Sequence, residues 1–142
     1  MTLDSMKVED AARVAELAGQ LGYPGTTEGE MRERIEAMLS EPSEQLRVAR
    51  DGDRVVGWIH FHLHHSLVSG PRVELAVVVV DSAYRGHGIG TQLVGLAEEW
   101  GRAQGLRRIR LSSRATRPDT HRLYLRLGYT INKTSHIFDK PL

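Results

Sequence analysis

The 142-residue sequence contains no cysteine. This absence excludes disulfide frameworks, thiolate zinc sites and cysteine nucleophiles, and it is compatible with a reducing compartment. Long apolar runs are also lacking, because the longest, residues 75–80, is far shorter than the ~20 residues that a membrane-spanning helix requires. The first ten residues show no secretory signal. We therefore expect a soluble, cytoplasmic protein that does not bind membranes.

The composition, with 40% hydrophobic and 26% charged residues, indicates one globular domain over residues 1–142. The net charge of +1 conceals an asymmetry. Residues 1–100 carry 9 basic and 16 acidic side chains, whereas residues 101–142 carry 10 basic and 2 acidic ones. Such a division is typical of two solvated faces, or of separate regions that attract cations and phosphates.

Hydrophobic periodicity and turn residues predict the order of helices and strands. The predicted helices span about residues 8–21, 27–41, 88–104 and 118–128, and the predicted strands span about 45–50, 54–67, 73–80, 107–112, 129–132 and 135–138. The order, roughly ααβββαβαββ, predicts an α+β fold with a mixed, mainly antiparallel twisted sheet flanked by about four helices.

A glycine-rich segment follows the valine-rich strand 73–80 and has glycines at positions 86, 88 and 90. Glycines between a strand and a helix let the backbone approach a ligand closely and direct amides toward an anion. The alternative is an ordinary glycine-rich turn. The dinucleotide fingerprint fails, because its last glycine would be Thr91 or Leu93, and the Walker sequence fails because no lysine follows a glycine.

The spacing Arg85-x-x-Gly88-x-Gly90 resembles the pyrophosphate-binding motif of the GNAT superfamily of N-acetyltransferases, which use acetyl-coenzyme A (acetyl-CoA). Residues 74–90 resemble that family's central strand and phosphate loop, and residues 118–129 its last short helix and following strand. The family's first strand would be vestigial, at about residues 2–4. The resemblance implies an acyltransferase that moves the acetyl group of acetyl-CoA, its co-substrate, to an amine by direct attack in a ternary complex.

The resemblance also implies which residues hold the cofactor. The loop amides would bind the pyrophosphate of CoA, and the preceding strand would pair with the pantetheine arm, with the Val78 amide facing the thioester oxygen. In place of an asparagine common in the family, this chain has Arg117. The implied cofactor-binding residues are Val78, Val79, Val80, Arg85, Gly86, His87, Gly88, Ile89, Gly90, Thr91 and Arg117.

Two residues are candidates for catalysis. Tyr124 aligns with a tyrosine that, in many family members, gives a proton to the departing CoA thiolate, and half-buried packing is its alternative role. Glu74 occupies the position of a glutamate base in some histone-modifying members. The alternative for Glu74 is a strand-end residue exposed to solvent.

Residues 58–65 contain four histidines, and at a period of two Trp58, His60, His62 and His64 share one face. Three interpretations fit this face. It could bind a metal, although no pattern supplies a third ligand, so we expect no metal. It could be a solvated face that a helix or a second subunit covers. It could also bind the substrate through Trp58, His60 and His62, with an imidazole relaying its proton.

Two alternatives to the acetyltransferase hypothesis belong to other functional classes. One is a non-catalytic acyl-CoA-binding sensor or interaction domain of the same fold. The other, a nucleic-acid binder that uses the arginine-rich last third, is disfavoured because recognition elements with interleaved aromatic residues are missing there. We therefore expect a small-molecule or peptide amine as the acceptor, no nucleic acid, and a homodimer as the default assembly.

Overall fold

The computed structural model describes residues 1–112 and 118–142, with no side chains described for residues 118–120. The chain divides into two units, Met1–Ser112 and Ser113–Leu142. A five-stranded sheet forms the first unit, and its strands follow one another in chain order. They are β1 (Thr2–Ser5), β2 (Glu44–Asp51), β3 (Arg54–His64), β4 (Arg72–Val80) and β5 (Ile109–Leu111).

The first four strands pair antiparallel, and β4 and β5 pair parallel. Helix α1 (Ala11–Leu21) follows a short 3₁₀ turn, α2 (Glu28–Leu39) precedes β2, and α3 (Ile89–Ala103) connects β4 to β5. Helix α4 (Pro118–Arg126) belongs to the second unit. The mixed, mainly antiparallel sheet with four helices confirms the fold class predicted from the sequence, and β1 is the short first strand expected at residues 2–4.

Helices α1 and α2 cover one face of the sheet. The capping box of α2 is present, since Thr27 Oγ1 accepts a hydrogen bond from the Glu30 amide at 3.1 Å. The apolar stripe of α1 packs against alternate residues of three strands, which is the period of a strand buried on one face. The buried members of this core are Met6, Ala11, Val14, Leu17, Ala18, Ile35, Leu46, Val48, Val55, Trp58 and Val79.

Helix α3 covers the opposite face. Phe61 of β3 meets Trp100 of α3 edge to face, with the ring centroids 5.6 Å apart. The contact is especially close at Gly101, where an added Cβ would lie 2.5 Å from Cγ2 of Val73. The glycine therefore sets the distance between α3 and β4.

One strand ends earlier than predicted, and two predicted strands do not form among the described residues. The strand predicted over 54–67 ends at His64, because Ser66 Oγ accepts hydrogen bonds from the amides of Val68 at 3.2 Å and Ser69 at 3.1 Å. These bonds satisfy the backbone locally and turn the chain. Among the described residues of the second unit, the predicted strands 129–132 and 135–138 do not form.

The apolar side chains of these two segments are exposed, among them Ile137 and Phe138. A β-pattern in the sequence gives a strand only when a partner supplies hydrogen bonds and an apolar face, and an isolated hairpin has marginal stability. The pattern therefore correctly indicated β-propensity and wrongly predicted pairing.

Candidate active site

The parallel strands β4 and β5 separate part-way along β4. Their register ends at the pair Leu75–Leu111, whereas β4 continues to Val80. On this side, β4 beyond Leu75 has no strand partner among the described residues. The separation leaves an open edge in the sheet, at which backbone N–H and C=O groups are available to a ligand.

The backbone groups at the open edge belong to Val78 and Val80. Asp81 N–H donates to Val56 O of β3 at 2.9 Å, which identifies the residues of β4 whose backbone groups point toward β3. In such a ladder the groups of alternate residues point the same way, so those of Asp81 and Val79 face β3. The third valine predicted to bind the cofactor, Val79, thus directs its backbone inward, while Val78 and Val80 direct theirs to the open edge.

A β-bulge at Ala76 produces this arrangement. His60 of β3 pairs with Val77 and the next residue, Phe61, pairs with Leu75, so Ala76 is the extra residue on β4. Before the bulge, Val73 N–H donates to Arg108 O at 2.9 Å, so odd-numbered residues face β5. After the bulge, even-numbered residues face that side, which is how the Val78 amide reaches the open edge.

The glycine loop lies between β4 and α3. Gly86 and Gly88 have φ angles of +84° and +77°, which side chains of L-residues rarely adopt, and a Cβ at either position would point into open space. Gly88 is the N-cap of α3 and has no side chain to cap it. The first intrahelical donor is the Gln92 amide, bonded to Gly88 O at 3.1 Å.

The amides of the first turn of α3 are therefore directed out of the helix without an intrahelical acceptor. They belong to Ile89, Gly90 and Thr91, and the Ile89 side chain is buried against the sheet. Arg85 and His87 are exposed on the loop. Uncapped amides at a helix N-terminus, an exposed guanidinium and free space form a site that fits a pyrophosphate.

Asp81 fixes the start of the loop. Its carboxylate accepts a hydrogen bond from the Ala83 amide at 3.0 Å and pairs with Arg13 of α1, whose side chain is 14% exposed. Gln20 Oε1 accepts a further hydrogen bond from the Ser82 amide at 2.9 Å. The backbone hydrogen bond from Ala83, together with Arg13, holds the pKa of Asp81 below its ordinary value.

A group of polar side chains shares the face of the sheet that α1 and α2 cover, beyond the end of the apolar core. We call it the polar patch. His60 Nε2 lies 2.7 Å from Glu44 Oε2, and the rings of His60 and His62 are 5.6 Å apart. The members of the polar patch are Glu44, His60, His62, His64, Arg72 and Glu74.

Glu74 has a partner that the sequence did not suggest. The guanidinium of Arg72, two residues earlier on the same face, donates to Glu74 Oε1 from Nε at 3.1 Å and from Nη2 at 2.9 Å. Arg72 is 9% exposed. Both hydrogen bonds end on Oε1, so Arg72 does not engage Oε2.

Trp58 lies at the junction of the polar patch and the core. Its ring belongs to the buried core, and its Nε1–H has no hydrogen-bond partner among the described residues. Sequence reasoning correctly grouped Trp58 with the histidines on one face, but it did not indicate that the indole would be only 7% exposed.

The last predicted catalytic residue, Tyr124, lies on α4 in the second unit. It is buried, its ring contacts that of Tyr129 with the centroids 5.8 Å apart, and burial raises the pKa of its phenol. Arg117, predicted to contact the cofactor, lies outside the described residues. In the part of the chain that is described, no three potential metal ligands cluster and no helix is long and apolar enough to cross a membrane.

A family model described as acetyltransferase (GNAT) family matches residues 12–129, most of the chain. The chain belongs to the acetyltransferase (GNAT) family. It is an N-acetyltransferase that moves the acetyl group of acetyl-CoA to an amine. The open edge of β4 and the uncapped loop of this acetyltransferase are the features that fit the donor.

One relative of this acetyltransferase is the aminoalkylphosphonate N-acetyltransferase of Salmonella typhimurium. It is 40% identical over 116 residues, which cover 78% of this chain and 71% of that protein. A crystal structure of a transcriptional regulator from Bacillus halodurans C-125 has a TM-score of 0.90 at 24% identity and covers 98% of this chain and 99% of that one.

An aminoglycoside N-acetyltransferase in complex with CoA has a TM-score of 0.87 at 19% identity and covers 99% of this chain and 95% of that chain. At this identity both structural likenesses establish the fold of this acetyltransferase.

Sequence reasoning missed three residues of this region. Arg13 and Asp81 were not singled out, although a lone arginine on the apolar side of α1 and an aspartate at the end of a strand are both signals of a buried ion pair. Glu44 was also missed, since nothing local in the sequence indicates that the first residue of β2 faces His60.

Proposed function

We propose that the acceptor of this acetyltransferase is a small amine that also carries an anionic group, such as a phosphonate. The pairing of Glu74 with Arg110 is the observation on which the proposal depends, because it places a guanidinium on the face of the polar patch. The separation of β4 from β5 leaves room for the donor beside it.

The loop would hold the pyrophosphate of acetyl-CoA. The amides of Ile89, Gly90 and Thr91 provide donors and the positive end of the α3 dipole, while Arg85 and His87 add exposed polar groups. Gly86 and Gly88 supply a backbone conformation that other residues rarely adopt. Arg117 is retained as a further phosphate contact.

The open edge would hold the pantetheine arm as if it were an added strand. The N–H and C=O groups of Val78 and Val80 are available for this pairing, and Val79 contributes through packing. The Val78 N–H would donate to the thioester oxygen, on which negative charge develops as the amine adds to the carbonyl carbon.

The acceptor would lie over the polar patch, against His60 and His62, with Trp58 below them. Carboxylates of the patch attract the ammonium group, and Arg72 with Arg110, opposite Glu74 on β5, attracts the anion. The phosphonate is suggested by the name of the 40% identical relative, an aminoalkylphosphonate N-acetyltransferase.

Two side chains would take part in the chemistry. Tyr124 would give its proton to the departing thiolate, a role that suits a phenol whose raised pKa keeps it protonated. The base would be Glu74, as the sequence predicts, or a histidine of the polar patch. We also retain a cytoplasmic location and a homodimer as proposals, and light scattering of the purified protein tests the second of these.

The test is calorimetric titration with acetyl-CoA, followed by a thiol-release assay with a panel of amines. Dephospho-CoA and NAD serve as controls for the donor. The panel contains aminoethylphosphonate, propylamine as its uncharged match, an aminoglycoside and a lysine peptide. We expect kcat/KM for aminoethylphosphonate to exceed that for propylamine at least tenfold, about 1.4 kcal/mol.

Substitution of one arginine separates anion recognition from other effects. Arg110→Gln should remove most of the preference for the phosphonate, while Arg107→Gln, at an exposed position of the same segment, should not. Equal kcat/KM for the two matched amines would contradict the anionic acceptor. Binding of acetyl-CoA without thiol release with any amine would favour a non-catalytic binding domain instead.

A further inference from the structure

The polar patch contains two kinds of group that can accept a proton from an amine, and they differ in what already occupies them. Glu74 accepts both of its hydrogen bonds from the buried guanidinium of Arg72. Protonation of Glu74 would leave that guanidinium buried without a charged partner, which is costly. Glu74 therefore suits the binding of a cation better than the removal of a proton.

His60, unlike Glu74, has a proton-accepting atom that no neighbour engages. Its Nε2 lies 2.7 Å from Glu44 Oε2, and because an ionised carboxylate only accepts hydrogen bonds, Nε2 carries the hydrogen. The lone pair is then on Nδ1, which has no hydrogen-bond partner within residues 1–112 and 118–142. The side chain is 15% exposed, so it is oriented and yet accessible.

Position along the sheet also distinguishes the two groups. His60 pairs with Val77, the residue directly before the Val78 amide at the open edge. Neighbouring strands are about 4.8 Å apart and β4 lies between β3 and the open edge, so the His60 backbone is about two strand spacings from the place proposed for the thioester and level with it along the strands. Glu74 pairs with His62, two residues along β3 from His60, so it is displaced along the sheet by roughly 7 Å at 3.3 Å per residue.

We propose that His60 is the base that takes the proton of the attacking amine and that Glu44 is its positioning residue. This inference rests on the proposed function, because it requires the acceptor to lie over the polar patch. His62, whose Nδ1 lies 3.3 Å from Leu63 O, is engaged by the backbone and serves as a contact for the acceptor.

In this scheme the amine loses two protons, and His60 takes the first of them. An N–H bond of the ammonium group breaks, its proton moves to His60 Nδ1, and the electron pair remains on nitrogen. That pair forms the C–N bond while the C–S bond breaks and its electrons leave on sulphur. The second proton of the nitrogen neutralises the thiolate, directly or through Tyr124, and His60 returns the first proton to solvent.

The test uses two acceptors of similar shape: the amine that the wild-type protein acetylates fastest, and its aminooxy counterpart. The alkylamine is protonated near neutral pH and needs a base, whereas the aminooxy nitrogen is already neutral. His60→Gln keeps a donor toward Glu44 but cannot take a proton. We expect kcat/KM to fall about 100-fold with the alkylamine and less than threefold with the aminooxy compound.

Glu44→Gln should show the same contrast between acceptors, with a loss of about tenfold, because the imidazole remains but is less well oriented. His65→Gln, an exposed histidine just beyond β3, is the matched control and should resemble the wild type. Calorimetric affinity for acetyl-CoA should stay within twofold in all three variants, which also shows that they are folded.

Equal losses with the two acceptors, or no loss, in His60→Gln would overturn the assignment. A contrast found in Glu74→Gln and absent from His60→Gln would show that Glu74 is the base. If the wild-type protein acetylates no amine of the panel, the proposed function itself fails and the base assignment falls with it. Failure of the proposed function is thus seen in the wild type, and failure of this inference in the variants.

Discussion

Gly90 is the residue at which a side chain would obstruct the pyrophosphate without straining the backbone. It lies in the first turn of α3 and is not among the glycines with positive φ. Gly90→Val should therefore weaken acetyl-CoA binding more than tenfold, measured by calorimetry, because it adds a bulky side chain among the first-turn amides that the phosphate oxygens would approach. A variant at Gly88 would be less informative, since its φ of +77° adds strain.

The matched control is Gly95→Val in the same helix, where a Cβ would meet nothing within 4 Å. Both substitutions place a β-branched residue in α3, so they share the cost in helix propensity. If Gly90→Val is folded and binds acetyl-CoA as tightly as the control, the loop is not the pyrophosphate site.

Tyr124→Phe should lower kcat about tenfold and leave the affinity for acetyl-CoA nearly unchanged. The loss is modest because a thiol has a pKa of about 8.5, so its thiolate is already a fair leaving group. Since burial raises the pKa of Tyr124, the wild-type phenol should stay protonated up to about pH 10. At any pH below this, its ionisation should not reduce kcat.

Tyr129→Phe is the comparison, because its ring contacts Tyr124 edge to face and it too loses one hydroxyl. Steady-state kinetics and calorimetry on both variants separate the two roles of Tyr124. An equal loss of kcat and of cofactor affinity in Tyr124→Phe would indicate a packing residue.

The roles of single residues followed from the sequence only where a local pattern identified them. The spacing of Arg85, Gly88 and Gly90 indicates a loop that binds an anion, whatever lies around it. The partners of Glu74 and His60 could not be inferred in this way. Glu44 becomes a neighbour of His60 only through the register of β2 with β3. Arg72 lies two residues before Glu74 on the same strand, but the predicted strand began at residue 73 and left it out.

At the scale of helices and strands, replacement of glycine by alanine should have opposite effects at two positions of α3, Gly101 and Gly95. Gly101→Ala should destabilise the protein by about 1–3 kcal/mol, because its Cβ would lie 2.5 Å from Val73 Cγ2 in a packed core. Gly95→Ala should stabilise it by up to about 1 kcal/mol, because space is open there and alanine favours the helix.

Urea unfolding followed by circular dichroism measures both differences. An increase in stability for Gly101→Ala would mean that α3 and β4 separate easily, contrary to their close packing at Val73.

The ion pair between Arg13 and Asp81 connects α1 to the end of β4. Asp81→Ala should lower the free energy of unfolding by about 3 kcal/mol at pH 7, because the Arg13 guanidinium loses its buried partner and keeps only the exposed carboxylate of Glu16 at 3.2 Å. Asp53→Ala, at the exposed turn between β2 and β3, is the control and should change little.

The difference should depend on pH. The pKa of Asp81 in the folded protein lies below its ordinary value, so the stabilisation is fully present above the unfolded pKa of about 3.9 and is lost as the pH falls through the folded pKa. The wild type and Asp81→Ala should therefore converge over the acidic interval below about pH 3.9, as the pH falls through the lowered pKa of Asp81 in the folded protein. A difference that does not vary over this interval would show that the carboxylate contributes through packing alone.

The order of helices and strands was predictable because each has its own period and its own boundaries. The capping box at Thr27 and the valine run of β4 are local signals, and the structure contains both elements. The segments 129–132 and 135–138 carry the same kind of signal and form no strand, because pairing depends on a partner that the local sequence does not encode.

For the molecule as a whole, acetyl-CoA should act as a stabilising ligand. A ligand that binds only the folded state at 100 times its Kd adds about 2.7 kcal/mol to the free energy of unfolding. Thermal unfolding with and without acetyl-CoA should show this gain in the wild type and in Gly95→Val, and lose most of it in Gly90→Val. An equal gain in the two variants would place the cofactor elsewhere.

The bulge at Ala76 limits how the length of this chain can change. Because Ala76 is the extra residue of the bulge, its removal would restore a continuous ladder and leave the Val78 amide at the open edge. One more residue inserted between Val77 and Val78 would instead exchange the faces of every side chain after it and turn the Val78 amide inward. The gene should therefore tolerate loss of the codon for Ala76 or a change of length in the turn at residues 65–71, whereas a single-codon insertion after the bulge should abolish acetyl-CoA binding.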